Sequence, residues 1–317
     1  MDLDDLHIFR SVVREGGVTR AASLLHRVPS NVTTRIKQFE ERLGVTLFRR
    51  QGRSLILTDA GHTLLGHAEK LLQMADLAEQ EMRSGVVRGV LRLGSLESAA
   101  GARLPPILSA FHAQHPNVTI ELQTGTTRAL LRLLNCFEVE AAFVSEPFEK
   151  GSLSSVPAFE EELVLITAKG GPAIREAVEL RGRTLVAFPH GCSYRQRLIE
   201  WLAEGGASPD RVLEMSSYHA VVACVAAGTG AAIVPSEVLD QAVLSTAVKR
   251  HPLPAHLRVN RTHLVWSGEV SAPLQGLMGL LPNGAASVEA IGEDANATRS
   301  MKPGPEQGQA PGVAVGP

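Results

Sequence analysis

Residues 18–61 read VTRAASLLHRVPSNVTTRIKQFEERLGVTLFRRQGRSLILTDAG, and the apolar spacing inside that stretch predicts its fold. Val32, Ile36, Phe39 and Leu43 recur at intervals of four, three and four, laying one buried stripe along a helix. Ser30 stands where an N-cap belongs, and Gly44 where a left-handed C-terminal cap belongs. Ahead of them Ala21, Ala22 and Leu25 predict a very short helix whose small residues let a neighbour come close. Further upstream, Leu6, Phe9 and Val13 line one face of an amphipathic first helix that Gly16 and Gly17 end. Downstream, residues 45–48 and 54–57 predict two short strands, with Arg50, Gln51, Gly52 and Arg53 as a hairpin tip. Helices, turn and hairpin in that order predict a winged helix-turn-helix over residues 1–60.

The whole chain, 317 residues with 31 basic and 33 acidic side chains, is no uniformly basic nucleic-acid binder. Locally the balance differs. From Arg27 to Arg53 the basic residues are Arg27, Arg35, Lys37, Arg42, Arg49, Arg50 and Arg53, against Glu40 and Glu41. The polar face of the third helix offers Asn31, Thr34, Arg35 and Gln38, with Thr33 and Lys37 on its flanks. Short hydroxyls and amides at a helix N-terminus reach base edges, and arginine chelates guanine. A solvated helix face carries a basic excess too. Arg50 and Arg53 on the hairpin, where a wing needs them, decide for double-stranded DNA.

From Thr58 a long helix is expected to about residue 83, with the seam Leu64, Ala68, Leu71, Ala75, Ala78, Met82 alternating by four and three. That spacing fits a close two-helix contact. The alternative is a helix lying on its own domain, but Leu65, Leu72 and Leu77 widen the apolar face beyond what a small domain covers, which favours dimerisation.

Residues 89–282 alternate strand-like runs (90–94, 118–123, 141–144, 163–167, 184–188, 211–214, 231–234, 262–266) with helical patterns, predicting an α/β region of mostly parallel sheet in two similar lobes. Ligands of such sheets sit beyond the carboxyl ends of strands, where helix N-termini present free N–H groups. Residues 94–98, 125–127, 189–193 and 217–219 are four such places, and each taken singly also reads as an ordinary cap. The last residues, 283–317, carry Gly, Pro and Ala with no aromatic residue and read as a disordered tail.

Several classes are set aside. Cys136, Cys192 and Cys224, odd in number and scattered, make no disulfide framework and suit a reducing compartment. The opening MDLDDLHIFR has no basic and apolar signal character, and no apolar run is long enough to span a membrane, so a cytoplasmic protein without membrane attachment is expected. His112 and His115 form H-x-x-H without further ligands, and no G-x-S-x-G or phosphate-loop lysine pattern occurs, so neither metal, cofactor nor catalysis is expected. Cys192 at a helix N-terminus has the setting of a reactive thiol, and equally that of a small residue in a tight turn.

The stretch from Val18 to Gly61 resembles the winged helix-turn-helix of LysR-type transcriptional regulators, through the AA pair, the LH, the I…FE…LG run, the LF.R and the LT.AG at family spacing. The likeness continues to about residue 282 and implies an effector-responsive regulator of operator DNA with no catalysis. It implies a homodimer or homotetramer and a C-terminal bilobal effector domain of the periplasmic-binding-protein type 2. On that pattern residues 61–88 are the linker and dimerisation helix, 89–162 with 268–282 the first lobe, and 163–267 the second. Ser30, Asn31, Thr33, Thr34, Arg35 and Lys37 would lie in the major groove, with Arg50 and Arg53 on phosphate. Leu96, Ser98 and Thr127 from one lobe, and Pro189, Gly191, Cys192, Ser193 and His219 from the other, would hold a small polar effector. Glu97 and Glu146, which also read as solvated, make an amino acid or amine-derived metabolite the leading expectation. Residues 27–36 read RVPSNVTTRI where many members read VSQPALSRQI, so base preferences do not transfer. The alternative is a small-molecule enzyme or a solute-binding protein on the same bilobal fold. The missing signal weakens the latter, and the N-terminal module weakens both.

Overall fold

The structure, a computed structural model, describes residues 1–51, 54–82 and 87–282. Gly52 and Arg53 of the wing tip and the tail expected at 283–317 lie outside the described residues. Helix α1 (Leu3–Arg14) opens on a reciprocal cap: the Asp5 amide donates to the Asp2 carboxylate at 2.8 Å, and the Asp2 amide to the Asp5 carboxylate at 3.3 Å. Helices α2 (Val18–Leu24) and α3 (Pro29–Leu43) follow. Ser30 is not the cap of α3. The helix begins one residue earlier at Pro29, whose missing N–H costs nothing in a first turn, with Val28 flanking it. Gly44 closes it at φ 70°, the left-handed cap the sequence predicts. Val32, Ile36 and Phe39 are buried against Leu6, Phe9 and Val12, and the Phe9 ring meets Phe39 edge-on at 6.5 Å. Leu43, at the end of the same stripe, is exposed.

The wing pairs β1 (Phe48–Gln51) with β2 (Ser54–Leu57), antiparallel. The first strand starts three residues later than its sequence predicts. The Glu40 carboxylate accepts from the amides of Leu47 (2.6 Å) and Phe48 (3.1 Å), tying that segment to α3. Helix α4 (Asp59–Met82) is capped by the Thr58 hydroxyl, which accepts from the Gly61 amide at 3.0 Å. Its expected seam divides. Ala68 and Leu72 are buried in the N-terminal core with Leu64 packed against it, and the buried Glu69 takes Arg10 (3.3 Å) and Arg14 (3.0 Å) of α1. Leu71, Met74 and Ala78 stay exposed on another face.

The C-terminal region runs β3 (Gly89–Ser95), α5 (Glu97–Ala102), α6 (Leu104–Gln114), β4 (Val118–Thr124), α7 (Thr127–Asn135), β5 (Ala141–Ser145) and β6 (Ser154–Ala168). It continues through β7 (Thr184–Ala187), α8 (Ser193–Glu204), β8 (Arg211–Glu214), α9 (Tyr218–Ala226), β9 (Ala232–Pro235) and α10 (Ser236–Gln241). Then come β10 (Val248–Pro252), α11 (Ala255–Arg258), β11 (Val259–Trp266) and α12 (Ala272–Gly279). The sheet is mixed rather than mostly parallel. Strand β3 is parallel to β4 and β5, while β6 pairs antiparallel with β9, β10 and β11. The reason is the length of β6: it leaves one core at Phe159 and enters a second at Leu163, and β11 returns antiparallel beside it. Glu161 and Asn260 face each other in register at that crossing. Leu264, Val265 and Trp266, expected in the second lobe, therefore belong to the first core. Between β6 and β7 the chain makes only a short turn at Ala177–Leu180, where the Glu179 carboxylate caps the amides of Arg175 (2.6 Å) and Glu176 (2.9 Å) just ahead of it. No described helix is long and apolar enough to cross a membrane.

The second lobe also buries a histidine. His251 Nδ1 accepts from the Ile174 amide at 3.0 Å, so Nε2 carries the proton and faces the Thr167 hydroxyl at 2.7 Å. Burial holds its pKa below the ordinary imidazole value, with Lys249 and Arg183 adding to the effect. A depressed pKa means that the unfolded chain binds the proton more readily. The stabilisation is then complete above about pH 6.5 and is lost as pH falls through the depressed value. Thermal melts should show His251→Gln losing less stability than wild type over that acid range. Parallel curves would remove His251 from the acid response.

Candidate functional site

The outer face of α3 carries Ser30, Asn31, Thr33, Thr34, Lys37 and Gln38, all exposed. Asn31, Thr34 and Gln38 lie three and four residues apart and so share one side. Thr33 turns its hydroxyl back to the Pro29 carbonyl at 2.9 Å. Arg35 does not stand free on this face. Its Nη2 lies 2.9 Å from Asp4, 3.1 Å from Asp5 and 3.6 Å from Asp2, so the guanidinium is folded onto the acidic start of α1. Arg27 grips both oxygens of Asp4 at 3.1 and 2.7 Å, and Arg42 pairs with the buried Asp5. Three of the seven expected cations are thereby neutralised within the domain. Lys37, Arg49 and Arg50 are exposed and have no acidic partner among the described residues, which leaves the positive face at the α3 flank and the wing. Arg53 lies outside the described residues.

The second site lies where the lobes meet. Leu96, Glu97, Ser98 and Thr126 from the first lobe face Phe188, Cys192, Ser193, Tyr194 and Tyr218 from the second. The gap between them is about 10 Å³, room for roughly one water, so the lobes are closed. Bonds cross it directly. The Ser193 hydroxyl donates to Ser145 Oγ at 2.7 Å, the Tyr218 amide to Glu97 at 3.3 Å, and Ser98 Oγ stands 3.5 Å from the Tyr194 hydroxyl. Gly191, at φ 91°, sits so close to Arg128 that a Cβ there would come within 2.7 Å of the Arg128 Cβ. A side chain at this position would hold the lobes apart.

Behind the gap, the buried Glu161 carboxylate accepts from Tyr194 Oη (2.9 Å), Asn260 Nδ2 (3.0 Å) and Thr262 Oγ1 (2.9 Å). Asn260 Oδ1 in turn accepts from Ser145 Oγ at 2.5 Å. The crossing strands and both lobes thus share one buried polar network. Burial pushes the Tyr194 and Tyr218 hydroxyls well above their usual range, with neighbouring negative groups contributing, so both remain neutral. Burial also raises the Cys192 thiol, outweighing the amides of Arg195 and Tyr194 that pull it down. This is the opposite of what a reactive thiolate needs.

Of the residues expected to hold an effector, Leu96, Ser98, Cys192 and Ser193 meet at the gap, with Glu97 beside them. Thr127 lies one step back. Its hydroxyl accepts from the Ser145 amide at 3.2 Å, and its neighbour Thr126 caps α7 and faces the gap. His219 is exposed while Tyr218 before it turns inward, and the Pro189 carbonyl accepts from the Cys192 amide at 3.3 Å. Glu146 is engaged elsewhere, 2.7 Å from His263 Nε2. Sequence reading missed Phe188, Tyr194, Ser145, Glu161 and Asn260, and within the turn at 217–219 it singled out His219 where Tyr218 faces the gap. The chain has two tyrosines, and their placement beside two of the expected ligand turns was the available signal.

Two family models match: "Bacterial regulatory helix-turn-helix protein, lysR family" over residues 3–62, and "LysR substrate binding domain" over residues 84–284. The chain is 35% identical over 266 residues to an uncharacterized HTH-type transcriptional regulator of Bacillus subtilis, YusT, covering 84% of this chain and 89% of that protein. Among solved structures, a full-length OxyR variant from Pseudomonas aeruginosa aligns with a TM-score of 0.69 at 20% identity, over 92% of this chain and 94% of that one. Full-length CbnR in complex with its target DNA aligns with a TM-score of 0.63 at 23% identity, over 90% of this chain and all of that one (100%). At these identities the two structures speak for the fold.

Proposed function

The chain belongs to the LysR family of bacterial helix-turn-helix transcriptional regulators, and from that premise we propose that it binds operator DNA as a dimer or dimer of dimers in the cytoplasm, under the control of a small polar effector held between its lobes. It is a transcriptional regulator with a DNA-binding and an effector-binding domain, and its named relatives are regulators rather than enzymes. The observation that carries the DNA reading is the exposed polar row Asn31, Thr34 and Gln38 on α3, flanked by Lys37 and by Arg49 and Arg50 of the wing. The row has the short hydroxyl and amide groups that reach base edges, and the cations supply phosphate contact. Leu71, Met74 and Ala78 on α4 form an apolar stripe suited to a second copy. The gap lined by Leu96, Ser98, Cys192 and Ser193 supports an effector site that opens when the lobes part, with Glu97 placed to receive an amino group.

A gel shift with the DNA upstream of the chain's own gene tests the reading. A specific complex that survives unrelated competitor DNA is expected, and its absence would count against it. In titrations across salt concentrations Arg50→Ala should weaken all duplexes alike and flatten the log–log salt slope by about 0.9. An unchanged slope would take Arg50 off the phosphate backbone.

A further inference from the structure

Both tyrosines of the chain line the interlobe gap, and Phe188 joins them. The Phe188 and Tyr218 ring centroids are 4.5 Å apart, and those of Tyr194 and Tyr218 are 6.4 Å apart. Glu97 stands at the same gap, half-buried and held by the Tyr218 amide. Its pKa is raised, chiefly by burial, against the pull of that amide and of His219. A second carboxylate, Glu161, lies behind Tyr194 and is bonded to neutral donors. No lysine or arginine is among the described residues lining the gap. Arg195 borders the adjoining space, where Glu214 and the Phe188 carbonyl hold it. The hydroxyls of Ser193 and Thr127, which would otherwise suit a carboxylate, are engaged with Ser145.

We propose that the cleft selects an organic cation, an ammonium group with no carboxylate of its own, seated against Tyr194, Tyr218 and Phe188 with Glu97 as its counter-charge. This narrows, and rests on, the reading of the cleft as the effector site. Aromatic faces attract a desolvated cation through their quadrupoles. The cation also relieves Glu97, whose ionised form burial disfavours and which no lysine or arginine of the gap lining neutralises. An anion placed here meets the Glu97 carboxylate, with Glu161 behind it and no lysine or arginine in the lining, and an amino acid brings its own carboxylate to the same place. A primary ammonium head has roughly the volume of one water, the space already present between the closed lobes.

The test is calorimetry and thermal shift on the full chain with butylammonium chloride and tetramethylammonium chloride, set against sodium butyrate and norvaline at equal ionic strength. Saturable binding of at least one cation is expected, weakened about tenfold or more by Glu97→Gln and by Tyr218→Leu, and largely kept by Tyr218→Phe, which retains the ring. Glu97→Gln is isosteric at a half-buried position and carries the test if Tyr218→Leu does not fold. Failure of both cations to bind overturns the inference. Butyrate or norvaline binding that Ser98→Ala or Thr127→Val weakens overturns it while keeping the cleft as the effector site. Cation binding that survives both Glu97→Gln and Tyr218→Leu overturns it by placing the cation elsewhere.

Discussion

Glu161→Leu should destabilise the C-terminal domain by about 3 kcal/mol or more, since a buried donor left without its acceptor costs about 1–3 kcal/mol. Three donors depend on this carboxylate: the Tyr194 hydroxyl, the Asn260 amide and the Thr262 hydroxyl, each on a buried residue. Leucine offers none of them an acceptor. Glu161→Gln keeps the shape and one carbonyl oxygen, so its cost should be smaller. The chain's two tryptophans report on this domain alone, Trp201 in the core of the second lobe and Trp266 in the core of the first. Denaturant unfolding followed by tryptophan fluorescence therefore reads the domain without the helix-turn-helix. Equal midpoints for wild type and Glu161→Leu would mean that the network does not hold the crossing strands.

Leu71→Glu should reduce operator affinity about 100-fold or more while leaving each protomer folded, because a dimer on paired half-sites gains that much or more from linkage. Leu71 is exposed on α4 beside Met74, so within one protomer the substitution falls in the mild range for surface changes. At a close contact between two copies it sets like carboxylates together out of water, a costly placement. Sedimentation of the variant against wild type, followed by operator titration, separates the effects. A Leu71→Glu dimer with wild-type operator affinity would move the dimer contact to another face. Leu72, one residue on, is wholly buried in the protomer's own core and would confound the comparison.

The helices of the N-terminal domain were legible because a period of three and four states which face is buried, and Val32, Ile36 and Phe39 obey it. The same rule placed Arg35 outside the buried stripe but was silent on its partner. Asp4 and Asp5 lie about thirty residues earlier in the chain, and only the packing of α1 on α3 brings them to the guanidinium. The seam of α4 illustrates a related limit. Leu64 and Ala68 share its spacing with Leu71, yet the N-terminal core takes up the first two and leaves the third exposed. In the C-terminal domain the turns after the strands identified where ligands could meet the chain, and Leu96, Ser98, Cys192 and Ser193 do converge. The buried network escaped notice because its members come from β5, β6, α8 and β11 at unrelated spacings. Antiparallel pairing of β6 with β11 alone sets Glu161 opposite Asn260.

We propose a division of labour on α3, in which Asn31 and Thr34 face the bases while Arg35 ties the helix to α1. Binding of wild type, Asn31→Ala and Arg35→Ala to a library of single-base operator variants tests it most directly. Asn31→Ala should flatten discrimination at one base pair by about 1–3 kcal/mol. Arg35→Ala should lower the stability of the helix-turn-helix while keeping the wild-type order of base preferences. Loss of base discrimination in Arg35→Ala, with an unaltered profile in Asn31→Ala, would contradict it.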